Sequence, residues 1–145
     1  MSGWLPVMLW MVVIFSASSD RLSFQHTSRF IGPFVRWLMP HISQRDLHAI
    51  IFGVRKCAHL SEYAILALLC WRGFGKTADP GNQAWSWRRA VDVLLLVALY
   101  AVTDEFHQKF VPSREASVLD VLIDVCGGAF GLIFPWIVGR WRKLC

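Results

Sequence analysis

The sequence predicts an all-α protein, a membrane-embedded bundle of four transmembrane helices with short interfacial helices in the first loop. Hydrophobic residues make up 55% of the 145 positions, the mean hydropathy is +0.44, and only 17% of residues are charged. Such a chain is too apolar for an ordinary soluble fold, and its length fits a single domain over residues 1–145. The lipid bilayer is the expected partner, and nothing in the chain resembles a nucleic-acid-binding module.

The first apolar stretch covers residues 4–17 and predicts the first transmembrane helix. It ends in small residues, Ser16, Ala17, Ser18 and Ser19, as the cleavage region of a signal peptide does. A signal peptide also needs a positively charged beginning, and residues 1–3 carry no basic side chain. We therefore expect a retained helix.

Residues 20–54 mix apolar side chains with Arg29 and Arg36, and then place Leu47, Ile50 and Ile51 at helical spacing. This pattern is typical of amphipathic helices that lie in a membrane surface. We expect one or two short helices here.

The other three predicted spans cover residues 54–71, 90–107 and 118–138. Only the last is an almost uninterrupted run of about 20 apolar residues, the usual bilayer requirement. Residues 72–89 combine Gly, Pro and Asn with Lys and Arg, and predict a loop that ends both neighbouring helices.

The distribution of basic residues bears on orientation. With four spans, the second loop and the C-terminal tail share one side of the membrane and carry seven Lys and Arg residues, against eight on the other side. Four of those eight (Arg55, Lys56, Lys109 and Arg114) lie close to acidic residues and can be held there for that reason. Without these four residues, the side of the second loop and the C-terminal tail carries more positive charge, which predicts that both termini lie in the cytoplasm.

Half of the ten acidic residues lie inside or at the mouth of apolar stretches. They are Glu62, Asp104, Glu105, Asp120 and Asp124. An ionisable group at membrane depth costs roughly 2.5–3.5 kcal/mol on insertion scales unless it faces a cavity or a partner. These carboxylates therefore indicate a polar site.

The polar residues also occupy matching ends of three spans. They lie at the start of the second span, the end of the third and the start of the fourth, and in an up-and-down bundle these ends share one side of the membrane. His59 and Glu62 share a helix face, as do Ser117, Asp120 and Asp124. We expect Asp104 to pair with His107 or Gln108 and Glu105 to point elsewhere. The predicted cavity opens towards the outer face.

Four interpretations of the cavity remain open. In an enzyme, His59 and the carboxylates would serve as general acids or bases, and Lys56 and Arg114 would hold an anionic group such as a lipid phosphate. A metal site is possible in principle, but the chain lacks the repeated Glu-x-x-His of a dinuclear bundle site. The third interpretation is a proton or ion pathway. The fourth is a structural network of ion pairs, for example Glu62 with Arg114.

Three sequence blocks resemble the VanZ-like family. They are Arg55-Lys56-x-x-His59-x-x-Glu62-Tyr63, Asp104-Glu105-x-His107-Gln108, and Arg114-x-x-Ser117-x-x-Asp120-x-x-x-Asp124-x-x-Gly127. Ser113 departs from the pattern, since many members carry Gly before the Arg. The resemblance covers nearly the whole chain.

The resemblance implies a small, mostly four-span protein of the bacterial plasma (inner) membrane. The family is named for a member that accompanies glycopeptide-resistance genes and raises resistance to teicoplanin, and it supplies no established reaction. We expect a role in envelope biology, namely binding or turnover of an anionic lipid or a lipid-linked envelope precursor. The alternative is a non-catalytic scaffold or an ion-coupled or proton-coupled transporter.

The candidate site residues divide by role in the enzyme interpretation. The candidate catalytic residues are His59, Glu62, Asp104, Glu105, His107, Gln108, Asp120 and Asp124. The candidate substrate-binding residues are Arg55, Lys56, Arg114 and Ser117. We assign no metal ligand and no cofactor.

Overall fold

The computed structural model describes residues 3–18, 24–78, 85–111 and 117–142, with only the backbone described at residues 24–28, 30, 78 and 142. Over these residues it contains five helices and no strand. They are α1 (Leu5–Ala17), α2 (Phe24–Leu38), α3 (Gln44–Ala78), α4 (Trp87–Gln108) and α5 (Val118–Arg142). The predicted all-α class is confirmed.

The boundaries of α3 correct two expectations. Residues 44–53 form no separate interfacial helix, and residues 72–78 are not loop, because all of them belong to one helix of 35 residues. At 1.5 Å per residue this helix is about 52 Å long. It begins after Ser43, whose hydroxyl accepts a hydrogen bond from the Asp46 N–H (3.1 Å) and donates one to the Asp46 carboxylate (2.7 Å).

Two glycines that predicted a turn after residue 72 lie inside α3 instead. A Cβ on Gly73 would be 3.4 Å from the Trp4 ring, and one on Gly75 would be 3.2 Å from the Arg89 guanidinium. No proline interrupts residues 44–78. The glycines therefore serve close packing against α1 and α4.

The core of the bundle lies between α3 and the helices α1, α4 and α5. Its buried residues are Val7, Ile14, Tyr63, Leu66, Ala67, Cys70, Ala90, Val93, Val97, Ala101 and Leu132. A second, smaller core joins α2 to the first turns of α3 through Val35, Leu47 and Ile51. Helix α3 is therefore the element that connects both parts of the protein.

The closest helix contact is that of α5 with α3. A Cβ on Gly127 would be 3.0 Å from the Leu60 Cα and one on Gly131 would be 2.9 Å from the Ala64 Cα, with the carbonyl oxygens of both partners nearer still. Glycines four residues apart let two helix backbones approach closely. The paired positions advance together along both chains, so α3 and α5 run parallel, as they must in an up-and-down bundle.

The exterior of the bundle is apolar. More than half of the side chain is exposed at Leu95, Leu99 and Phe106 on α4 and at Phe130 and Phe134 on α5. Six large apolar side chains of α1 are also exposed, namely Leu5, Met8, Leu9, Val12, Val13 and Phe15. Contiguous apolar surface of this extent marks a protein or membrane contact.

One helix of the described part of the chain is long and apolar enough by itself to cross a membrane. It covers Val118–Trp141, 24 residues with a mean hydropathy of 2.0. Helix α1 is apolar but has only 13 residues, about 20 Å against a hydrocarbon core of about 30 Å.

Replacing Gly127 and Gly131 by Ala should separate α5 from α3. The added methyl groups would meet backbone atoms, which cannot move aside as a side-chain end can, and overpacking of this kind costs about 1–3 kcal/mol. We expect a lower thermal unfolding midpoint in detergent for each variant. Gly53→Ala on α3 is the matched control, since nothing lies within 4 Å of its Cβ position. Unfolding midpoints equal to the control would contradict the packing argument.

Candidate functional site

Polar side chains from four helices come together at one end of the bundle. They belong to the second quarter of α3, the last turns of α4, the first turns of α5 and the end of α1. Four of them are almost fully buried: Asp104, Glu105, Gln108 and Asp124. At this end of the bundle, polar residues inside and apolar residues outside are the reverse of the usual soluble arrangement.

His59 and Asp124 form the deepest pair between α3 and α5. The His59 Nδ1 lies 3.3 Å from the Asp124 Oδ1, with the Asp124 side chain wholly buried and that of His59 14% exposed. Asp124 shares a face of α5 with Gly127, which lies one turn further on. The close approach allowed by Gly127 and Gly131 therefore brings the carboxylate against the imidazole.

Lys56 and Asp120 form an ion pair one turn nearer the mouth of the site. Their side chains are 25% and 17% exposed, so solvent reaches this pair more easily than the one below it. The ammonium group also lies 4.9 Å from the centre of the Phe52 ring, a cation–π contact.

Asp104 joins α4 to the end of α1. Its Oδ2 accepts hydrogen bonds from the Ser18 hydroxyl (2.6 Å) and from the Gln108 side-chain amide (3.2 Å). The pairing expected of Asp104 is thus made with Gln108, while the ring of His107 lies against that of Phe15 in a tilted contact, with centroids 4.1 Å apart. Ser18 was not among the predicted site residues. Its signal in the sequence was its place at the end of the first apolar stretch.

Glu105 joins the end of α4 to the start of α5. Its Oε2 accepts a hydrogen bond from the Ser117 backbone N–H (2.8 Å), one of the free donors at the beginning of a helix. The Ser117 hydroxyl in turn accepts from the Leu119 N–H (3.2 Å). Glu105 thus bonds to a different helix from Asp104, and it is buried, being only 5% exposed.

Several buried polar atoms of the site have no hydrogen-bond partner among the described residues. They are the Tyr63 hydroxyl, the Oδ1 of Asp104, the Oε1 of Glu105, the Oδ2 of Asp124 and the Nδ1 of His107. Three of the five are carboxylate oxygens. An unpaired buried polar atom costs free energy, so each of these atoms would be stabilised by a donor or acceptor that reaches it.

Arg55 and Glu62 lie on α3 beside this group, both partly buried, and the Glu62 carbonyl accepts a hydrogen bond from the Trp10 indole N–H (2.9 Å). Arg114 lies outside the described residues, so its expected pairing with Glu62 stays a prediction. Within the part of the chain that the structure describes, no three His, Cys, Asp or Glu side chains are grouped so as to hold a metal ion.

A comparison with known protein families identifies the family of this chain. The VanZ/LLP1 family model matches residues 4–139, a range that includes α1, α3, α4 and all but the last three residues of α5. The chain belongs to the VanZ/LLP1 family. No curated protein and no solved structure gives a significant match. Proteins of this family are generally membrane-associated, in agreement with the apolar exterior and with the length of α5.

Reversing the Lys56 and Asp120 charges tests the outer pair of this VanZ-family site. Lys56→Asp and Asp120→Lys should each place like charges between α3 and α5 and lower the unfolding midpoint in detergent, by a free energy below the about 3–5 kcal/mol of a fully buried pair. The double variant should regain most of that loss. Lys76→Asp, on an exposed residue of the same helix, is the control. Single variants as stable as this control would show that the pair contributes nothing.

Proposed function

We propose that this chain is a multi-pass protein of the bacterial plasma membrane in which α1, α3, α4 and α5 cross the bilayer. The apolar exterior of α1, α4 and α5 and the parallel course of α3 and α5 support this arrangement. On the charge argument made above, both termini lie in the cytoplasm and the polar site opens at the outer face. Helix α1 is short, and a bilayer accommodates a short span by local thinning.

We further propose that the site binds, and acts on, a lipid-linked envelope precursor. The observation that carries this proposal is the wholly buried Asp124 carboxylate at 3.3 Å from a partly exposed His59. A buried carboxylate behind an imidazole fixes the orientation of the ring and stabilises its protonated form. His59 would then act as a general base towards a hydroxyl group or water at the mouth of the site.

The charges of the site favour a head group that carries both a phosphate and hydroxyl groups. Near its mouth, Arg55 and Lys56 can meet one phosphate group. The same site holds five carboxylates, which would repel a larger polyanion, namely Glu62, Asp104, Glu105, Asp120 and Asp124. The partly exposed carboxylates of Asp120 and Glu62 can accept hydrogen bonds, which sugar hydroxyls supply. A saccharide carried on a polyprenyl phosphate combines both groups and a tail that the bilayer can hold.

A purely structural role is the competing proposal, and the Lys56–Asp120 ion pair favours it. Buried charges seldom add net stability, but they can fix the register of two helices. In that case the site would hold α3 and α5 together and the protein would act as a scaffold in the membrane.

His59→Ala and Asp124→Asn separate these two roles. In a glycopeptide-susceptible bacterium, we expect the wild-type chain to raise resistance to teicoplanin and both variants to lose that effect while remaining folded in detergent. Exposed residues of the same types give matched controls, His41→Ala and Asp92→Asn, which should keep full resistance.

The purified proteins provide the second measurement. The wild type should retain a polyprenyl-phosphate-linked saccharide better than polyprenyl phosphate alone, and Lys56→Gln should lose the retention of both. A wild-type chain without effect on resistance and without preference for the saccharide would contradict the proposed substrate. Unfolded His59 and Asp124 variants beside folded controls would favour the scaffold.

The orientation has its own test. Reporter fusions at Lys76 and after the C-terminus should be active in the cytoplasm, and a fusion at His41, between α2 and α3, should be active outside. The opposite pattern would place the site at the cytoplasmic face.

A further inference from the structure

A second polar cavity lies apart from the His59 site, between α2 and the first turns of α3. Its volume is about 480 Å³, within the range of about 300–1,000 Å³ of small-molecule sites. Its lining residues are Arg29, Gly32, Pro33, Arg36, Gln44, Leu47, His48 and Ile51. His48 precedes Lys56 by eight residues, so the cavity lies about 12 Å further along α3 than the outer ion pair.

The lining of this cavity is cationic at the rim and apolar at the base. Arg29 and Arg36 are two helical turns apart on one face of α2 and both are exposed. Leu47 and Ile51 are 5% and 1% exposed and belong to the small core below. None of the described residues that line the cavity is acidic. This combination suits a ligand with an anionic group and an apolar portion.

The length of α3 determines where the cavity lies relative to the bilayer. The apolar stretch at residues 54–71 is about 27 Å long, close to the hydrocarbon thickness, so residues 44–53 extend about 15 Å beyond it. The head-group layer is about 5–8 Å thick on each side of a bilayer. It therefore holds the part of the cavity near Ile51, and its outer edge lies close to His48, while the start of α3 extends beyond it. Helix α2 packs there with Phe34, Trp37 and Leu38 exposed, as an interfacial helix would.

We infer that the cavity between α2 and α3 binds the head group of an anionic phospholipid. Its phosphate lies between Arg29 and Arg36, and its acyl chains follow the exposed apolar side chains of α2. This inference uses the membrane placement proposed above and is independent of any substrate at His59. A free phosphate ion shares the head group's charge but would make no use of the apolar surface.

Arg29→Gln combined with Arg36→Gln tests the charge of the cavity. Native mass spectrometry of the detergent-solubilised protein would measure retention of phosphatidylglycerol, with phosphatidylcholine and inorganic phosphate as separate probes. We expect the wild type to prefer phosphatidylglycerol. The double variant should bind this lipid at least about tenfold more weakly, since each basic residue near an anionic lipid contributes to the binding free energy. Arg72→Gln combined with Arg88→Gln removes the same charge from exposed residues elsewhere and should leave retention unchanged.

Gly32→Leu tests the space of the cavity without changing its charge. Gly32 is buried, yet nothing lies within 4 Å of its Cβ position, so a larger side chain can enter the cavity without a clash. We expect weaker retention of phosphatidylglycerol with an unchanged unfolding midpoint. Gly53→Leu, with equally open surroundings on α3, is the control and should retain the lipid.

Three results would overturn the inference. They are equal retention of phosphatidylglycerol and phosphatidylcholine by the wild type, undiminished retention in both the arginine and the Gly32 variants, and displacement of the lipid by inorganic phosphate alone. If the arginine variant fails to fold, Gly32→Leu decides by itself. Loss of lipid retention with teicoplanin resistance intact would leave this cavity established and separate it from the His59 site.

Discussion

The close approach of α5 to α3 is the constraint on which the rest of the structure depends. Gly127 and Gly131 allow the two backbones to meet, with Leu60 and Ala64 as their partners. In the proposed membrane placement no hydrophobic force draws the two helices together, so packing and polar contacts must supply the association. Because the helices are this close, short acidic side chains on α5 can reach residues of α3 directly.

The polar side chains lie at two depths in the bundle. At the inner level the buried Asp124 stands behind His59, and at the outer level Asp120 meets Lys56, where solvent has access. This order suits the proposed function, in which the buried acid would orient the imidazole and the outer residues would meet the ligand. Asp104 and Glu105 complete the inner level from α4 and also fasten the neighbouring helix ends, through Ser18 of α1 and the Ser117 N–H of α5.

The long helix α3 links the two sites proposed for this protein. Its first turns line the cavity with Arg29 and Arg36 of α2, and its next turns carry Lys56 and His59. Both lie at the same end of the bundle, the cavity in the proposed head-group layer and the His59 site below it. A protein that handles lipid-linked molecules would benefit from this arrangement, because a bound lipid holds α2 in place beside the mouth of the site.

The sequence by itself determined the helical class, the family and the end of the bundle at which polar residues gather. Those conclusions depend on hydropathy, on motif spacing and on the rule that alternate ends of successive spans share a side, all of which are local or topological. The pairing of Asp120 with Lys56, the capping of α5 by Glu105, the contact of Ser18 with Asp104 and the continuity of α3 through Gly73 and Gly75 were decided by the tertiary structure. Each depends on the rotation and separation of helices distant in sequence, and a glycine signals a turn or a close contact equally well until its neighbour in space is known.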